Sequence, residues 1–204
     1  MTSATQVVLV PRERIARWVE NFEARHGATR ARVDQGALVV EADDGSHARL
    51  RLPFDAGHDG PADVEAFRAA ARVPDDWGVL LVRKGGFAVA RLSGEQVVES
   101  KVGQRHVQGR TKAGGQSQQR FARRRDNQAR DAYRAAADHA ARLLGPGPLV
   151  VGGDQEALSA VLADPRLTGL QPVGQTLAVP DPRRAVLLGA VRDAVSVRVE
   201  VVNA

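Results

Sequence analysis

The chain has 204 residues, a formal charge of +5 and 43% hydrophobic content, which is enough for one large domain or two small ones with a real core. It has no cysteine, which excludes disulfides, thiolate metal sites and a cysteine nucleophile and fits a reducing, cytoplasmic setting. An apolar run at 7–10 is cut short by Pro11 and charges, so no signal peptide is expected, and no later run is long enough to span a membrane.

Residues 11–26 read as a helix, because Ile15, Trp18, Val19 and Phe22 recur at helical spacing and Gly27 stops it. Three short strands follow at 29–34, 37–42 and 47–52, with Gly36 and Gly45 in the tight turns between them. A loop at 53–61 leads to a short helix at 63–72, which places Val64, Phe67 and Ala71 on one face. Pro74-Asp75-Asp76 marks a boundary. Strands at 77–83, 87–92 and 96–101 then form an antiparallel meander, followed by a polar, glycine-bearing loop within 102–117. A long helix over 117–144 carries Phe121, Ala129, Ala132, Tyr133, Ala136, Ala140, Leu143 and Leu144 as its apolar line and ends at Gly145-Pro146. It would be roughly 40 Å long, and its charged first half is expected to reach beyond the core. A strand at 148–151, a helix at 155–162 capped by Asp154, a strand at 170–177, a helix at 182–193 and an alternating strand at 195–202 complete the chain. This order predicts an α+β or α/β fold: a small α+β lobe over 1–76 and a mixed sheet with flanking helices over 77–204.

Charge is unevenly spread. Residues 101–130 hold nine basic residues and one acid, a net +8, so the remainder of the chain carries −3. Mixed charges on a helix ordinarily mark a solvated face, but here one sign dominates, which is the footprint of a polyanionic partner. Inside this segment lies TKAGGQSQQRFARRR, 111–125. Gly114 and Gly115 permit positive φ and close approach to another surface. Gln116 offers a backbone N–H and a side-chain amide, which together can orient a water and stabilise an oxyanion without any charge. By itself the tripeptide is only a flexible lead into a helix. Its place between Arg110, Lys112 and the arginine row gives it a function, one that needs another macromolecule to complete the active site.

The other signals are weaker. His26, His47, His58 and His139 have no ligand spacing and read as surface or turn residues, while His106 sits in the basic loop within reach of phosphate; no metal site is expected. Asp43-Asp44 and Asp75-Asp76 flank turns, where Asp serves local hydrogen bonding. Gly152-Gly153-Asp154 lacks the spacing of a dinucleotide or P-loop turn and reads as an ordinary strand–helix connection. Ser117 lacks the context of a hydrolase nucleophile. A metal-dependent nuclease would need clustered carboxylates at strand ends, and Glu99 and Glu200 are among the few available.

The stretch GGQSQQRFARRRDNQARDAYRAAADHAARLL, 114–144, resembles the catalytic loop and following helix of the archaeal and eukaryotic class 1 peptide-release factors. Their relatives include the Vms-like release factors, peptidyl-tRNA hydrolases of ribosome rescue with actinobacterial members. The resemblance is specific over 110–142, architectural from 77 onward, and does not reach 1–76. It implies an RNase H-like mixed sheet, with Gly114 and Gly115 as loop glycines and Gln116 as the catalytic glutamine. The Vms-like branch follows a Gly-x-x-Gln pattern, which Gly115-Gln116-Ser117-Gln118 also satisfies, so Gln118 competes for the role. Arg110, Lys112, Arg120, Arg123, Arg124 and Arg125 would grip ribosomal RNA or the tRNA acceptor stem. The implied partners are the large ribosomal subunit and peptidyl-tRNA, with no cofactor. No decoding domain, zinc finger or ankyrin repeat is recognisable, so the expected activity is codon-independent. A non-catalytic ribosome- or RNA-binding module is the alternative.

Overall fold

The computed structural model describes residues 5–104 and 116–204, and among these the chain forms ten strands and five α-helices in two compact units. One unit is Met1–Val73 with Arg192–Ala204, and the other is Pro74–Val191.

The first unit contains β1 (Gln6–Val10), α1 (Ile15–His26), β2 (Thr29–Asp34), β3 (Ala37–Ala42), β4 (His47–Arg51), α2 (Val64–Ala70) and the last strand, β10 (Val197–Val202). Its sheet runs β1-β10-β4-β3-β2, antiparallel throughout. Strand alternation sends Leu38, Val40, Ala48, Leu50, Val197 and Val199 to one face, where they pack with Ile15, Val19 and Phe22 of α1 and Phe67 of α2. The two-residue turn between β2 and β3 takes positive φ at Gln35 and Gly36, as the twist of a hairpin demands. Asp63 starts α2 by accepting a hydrogen bond from the Ala66 N–H at 2.8 Å.

The apolar run at 7–10, given no element from the sequence, lies in an edge strand, β1. One expectation is corrected here. The final strand, expected in the domain over 77–204, is β10 of the first sheet, pairing Val199 with Val8 on one side and Leu50 on the other. Alternation in VRVEVV specifies which residues face the core; it carries no information about which sheet supplies the neighbours.

The second unit contains β5 (Trp77–Arg83), β6 (Gly86–Ser93), β7 (Gln96–Gln104), α3 (Gln116–Leu143), β8 (Gly147–Gly153), α4 (Gln155–Leu162), β9 (Leu170–Pro172) and most of α5 (Arg184–Ala194). Its sheet runs β7-β6-β5-β8-β9, with β5, β6 and β7 antiparallel and β8 and β9 joined in parallel to β5. One face packs Leu80, Val82, Val89, Leu149 and Val151 against the alanines of α3 and against Ala157, Leu158 and Val161 of α4. Val79, Leu81, Ala88, Ala90 and Leu92 on the opposite face are equally buried, which is why β5 reads as a continuous apolar run. The fold is therefore α+β. The expected strand at 170–177 is shorter, ending at Pro172, and Leu177 returns only as a single bridge to Gly152. Among the described residues, no helix is long and apolar enough to cross a membrane.

The Gly152-Gly153-Asp154 turn is a structural joint. The Gly153 N–H donates to the Leu177 carbonyl at 3.0 Å and the Asp154 N–H to the Val82 carbonyl at 2.9 Å, so the donors that a phosphate would need are already used. Asp154 stands at the N-cap of α4, but its carboxylate makes no bond to the helix. It accepts from the Lys84 N–H at 3.3 Å and pairs with Arg83 at 3.4 Å instead, which corrects the expected capping role. Gly153 has φ +112, and a Cβ there would press on the Val82 carbonyl group. Gly153→Ala should therefore lower stability by about 1–3 kcal/mol through backbone strain alone, with the clash added. Gly94→Ala, where φ is +55 and nothing lies within 4 Å, is the control. Equal shifts of the urea midpoint in the two variants would mean that the close approach at Gly153 has no weight.

Candidate functional site

The site expected from the sequence lies where the chain leaves β7 and enters α3. Arg110, Lys112, Gly114, Gly115 and His106 lie outside the described residues. Gln116 is the first residue of α3, and Gln118, Arg120, Arg123, Arg124 and Arg125 follow along its backbone; their side chains also lie outside the described residues.

What the structure describes is the anchorage on both sides. On α3, Ala132, Ala136, Ala137, Ala140 and Leu143 are buried, a face of small side chains that lets the helix lie close to β6 and β7. Ala132 is the first buried residue of α3 among those described, about 24 Å along the axis from Gln116 at 1.5 Å per residue. On the strand side, β7 pairs with β6 as far as Gln104, opposite Gly86. Gly103 lies opposite Phe87, and a Cβ at Gly103 would come within 2.6 Å of the Phe87 Cζ atom. The ring of Phe87 thus occupies the space over Gly103 and stacks on His139 of α3 with centroids 5.5 Å apart. Glu99 of β7 also reaches Arg142 of α3 at 3.6 Å, an exposed pair of little energetic weight.

This clamp of Gly103, Phe87 and His139 was not anticipated. The signal available was a glycine inside a strand, which marks close approach of another group. His139, expected at the surface, is half-buried against Phe87. His58 is a second correction: it is buried, edge-on to Phe67 at 5.3 Å, with its Nε2 2.9 Å from the Pro61 carbonyl oxygen. Asp44 has the expected turn role, accepting from the Ser46 N–H at 2.8 Å. Glu99 and Glu200, weighed as nuclease carboxylates, lie on different sheets and face arginines, Arg142 and Arg198 respectively.

Burial, and next the Arg142 and Lys101 charges, push the His139 imidazole below its ordinary value, with Asp138 opposing. The folded state therefore prefers the neutral ring. On acidification the unfolded chain takes up this proton first, near the ordinary value of about 6.5. Stability is then lost as pH falls below that value, until the folded ring is protonated too. His139→Phe, which keeps an aromatic ring beside Phe87, should flatten this part of the pH dependence. The check is the urea midpoint of both proteins from neutral pH down through the histidine range. Parallel curves would show that the ring titrates alike in both states.

A family model described as Actinobacteria/chloroflexi VLRF1 release factor matches residues 75–200 of the chain, more than half its length. The matched span takes in β5 to α5 and the beginning of β10. No curated protein matches the chain.

Proposed function

The chain belongs to the Actinobacteria/chloroflexi VLRF1 release factor family, and from that membership we propose that it hydrolyses peptidyl-tRNA on the large ribosomal subunit without reading a codon. Membership itself gives a release-factor-like role in translation and contact with ribosome and tRNA. The finer reading is supported by one observation above the others. Gly114-Gly115-Gln116 leads directly into a 28-residue helix and lies within residues 101–130, whose sequence carries a net charge of +8.

In this reading the reactive bond is the ester between the nascent chain and the terminal ribose of the tRNA. A water attacks the ester carbonyl, the C–O bond to the ribose breaks, and the proton of the water passes to the departing ribose oxygen. The products are a free peptide carboxylic acid and a deacylated tRNA. Gln116 positions the water with its side-chain amide and stabilises the developing oxyanion with its backbone N–H. A neutral amide suits this place because it cannot be titrated and does not compete as a nucleophile. Ribosomal RNA and the tRNA ribose complete the site. The row Arg120, Arg123, Arg124 and Arg125, with Arg110 and Lys112, steers association and holds phosphates, so binding should weaken with salt.

The test is release of labelled peptide from stalled large subunits. Gln116→Ala should still bind and should slow release by about 100-fold, the scale of losing one preorganised donor. Gln118→Ala should stay near wild type. The reverse pattern would move the catalytic role to Gln118. Full activity in both variants would leave only the RNA-binding module. Reversing Arg123, Arg124 and Arg125 to Glu should weaken binding and flatten its dependence on salt, because fewer counterions are then released from the phosphates.

A further inference from the structure

A second feature lies in the first unit, mostly outside the residues that the family match covers. The two sheets have four edge strands, and three are guarded against pairing with another chain. The β2 edge carries Arg30, Arg32 and Asp34, the β7 edge carries Glu99 and Lys101, and β9 is three residues long and ends in Pro172. The remaining edge, β1, has the sequence QVVLV, with no charge and no proline. Val7 and Leu9 are 45% and 44% exposed. Among the described residues no strand pairs with its outer side.

Two adjoining cavities of about 580 and 310 Å3 run along β1 and share Val8, Trp18 and Asn21. Their basic lining is Arg14, just before α1, and Arg17 of α1 in one, and Arg25 of α1 in the other. Spacings of three and four residues set Arg14, Trp18, Asn21 and Arg25 on one stripe, with Arg17 at its margin. Among the described residues none of the three guanidinium groups has an ion pair or hydrogen bond. Cations left unpaired beside an unguarded apolar edge are complementary to one kind of occupant.

We propose that β1 is a docking edge for an extended acidic segment of a partner protein. The segment adds to the sheet beside Gln6–Val10 and sets its carboxylates on Arg14, Arg17 and Arg25. A second copy of this chain fits less well. Edge-to-edge pairing of β1 about a two-fold axis would bring the arginine stripes of both α1 helices side by side. A single-stranded nucleic acid fits less well too. It has no alternating donors and acceptors to match a strand edge, and one face of Trp18 is already taken by Phe22, stacked at 5.6 Å. This inference stands apart from the release reading, since either can fail alone.

The experiment uses the full chain and a fluorescent peptide of alternating valine and glutamate, followed by anisotropy. Wild type should bind it. Arg14→Glu with Arg17→Glu and Arg25→Glu should weaken binding by about tenfold or more, as should Leu9→Lys, which adds the charge that other edges carry. All are surface changes, and circular dichroism checks that each variant is folded. Methylating alternate backbone nitrogens of the peptide should abolish binding. Undiminished binding of the methylated peptide, or equal binding when lysine replaces glutamate, overturns the proposal. So does binding of oligouridylate, but not the peptide, that is lost in the arginine variant. Dimerisation removed by Leu9→Lys, with no peptide binding, assigns the edge to a second copy and overturns it as well.

Discussion

The functional unit depends on how closely α3 can lie on its sheet. Ala132, Ala136, Ala137 and Ala140 give the helix a face without bulk, so backbone meets sheet at short range. A face of larger side chains would lift the helix and change its direction. The ring of Phe87 at this contact is accommodated because β7 has Gly103 under it and α3 has the flat imidazole of His139 beside it. A small angular error at this anchorage grows along the axis, because Gln116 is about 24 Å from Ala132. Glycine beneath, aromatic between and alanine above together set where the start of the helix points.

Charge follows the same division. In the body of the second unit many cations are matched locally. Arg91 makes two hydrogen bonds to Asp76, at 2.9 and 3.0 Å, and Arg166 bridges Asp138 and Asp164. Hydrogen bonds from the Arg166 side chain and N–H hold the Asp164 carboxyl at about 2. Residues 101–130 cannot be treated in that way, since their sequence supplies one acid for nine bases. Such an excess raises the energy of the isolated chain by self-repulsion and lowers it again beside a polyanion. The strength of that second effect falls with salt, which separates it from burial.

Elements with strong local patterns were legible. The period of apolar residues in α1 and α4, and the continuous run of β5, specify type and length with no tertiary information. The start of α3 was equally clear, because Gln, Arg and Ala favour helix wherever they are not contradicted. The failures share a cause: each depended on a neighbour from another element of the fold. The carboxylate of Asp154 turned from its own helix to Lys84 and Arg83. His58 was buried by Phe67. The Phe87 clamp needed β6, β7 and α3 at once. For the candidate site, the chemistry-bearing residues were readable because their types are unusual together. The anchorage beneath them was not, because Gly103, Phe87 and His139 are individually ordinary.

The placement of β10 has a consequence for how the chain folds. It lies between β1 and β4, so the first sheet has no continuous order until residues 197–202 have been made. Without β10, β1 has no partner, and β4 ends the remaining β4-β3-β2 sheet with Ala48 and Leu50 at an open edge. The intervening unit closes on its own sheet and core, which shortens the effective loop joining β4 to β10 and reduces the entropy lost on closing it. The order that costs least is therefore second unit first and first unit last. This inverts the usual N-terminal lead during synthesis and leaves the apolar β1 segment unpaired in this sheet until β10 is made.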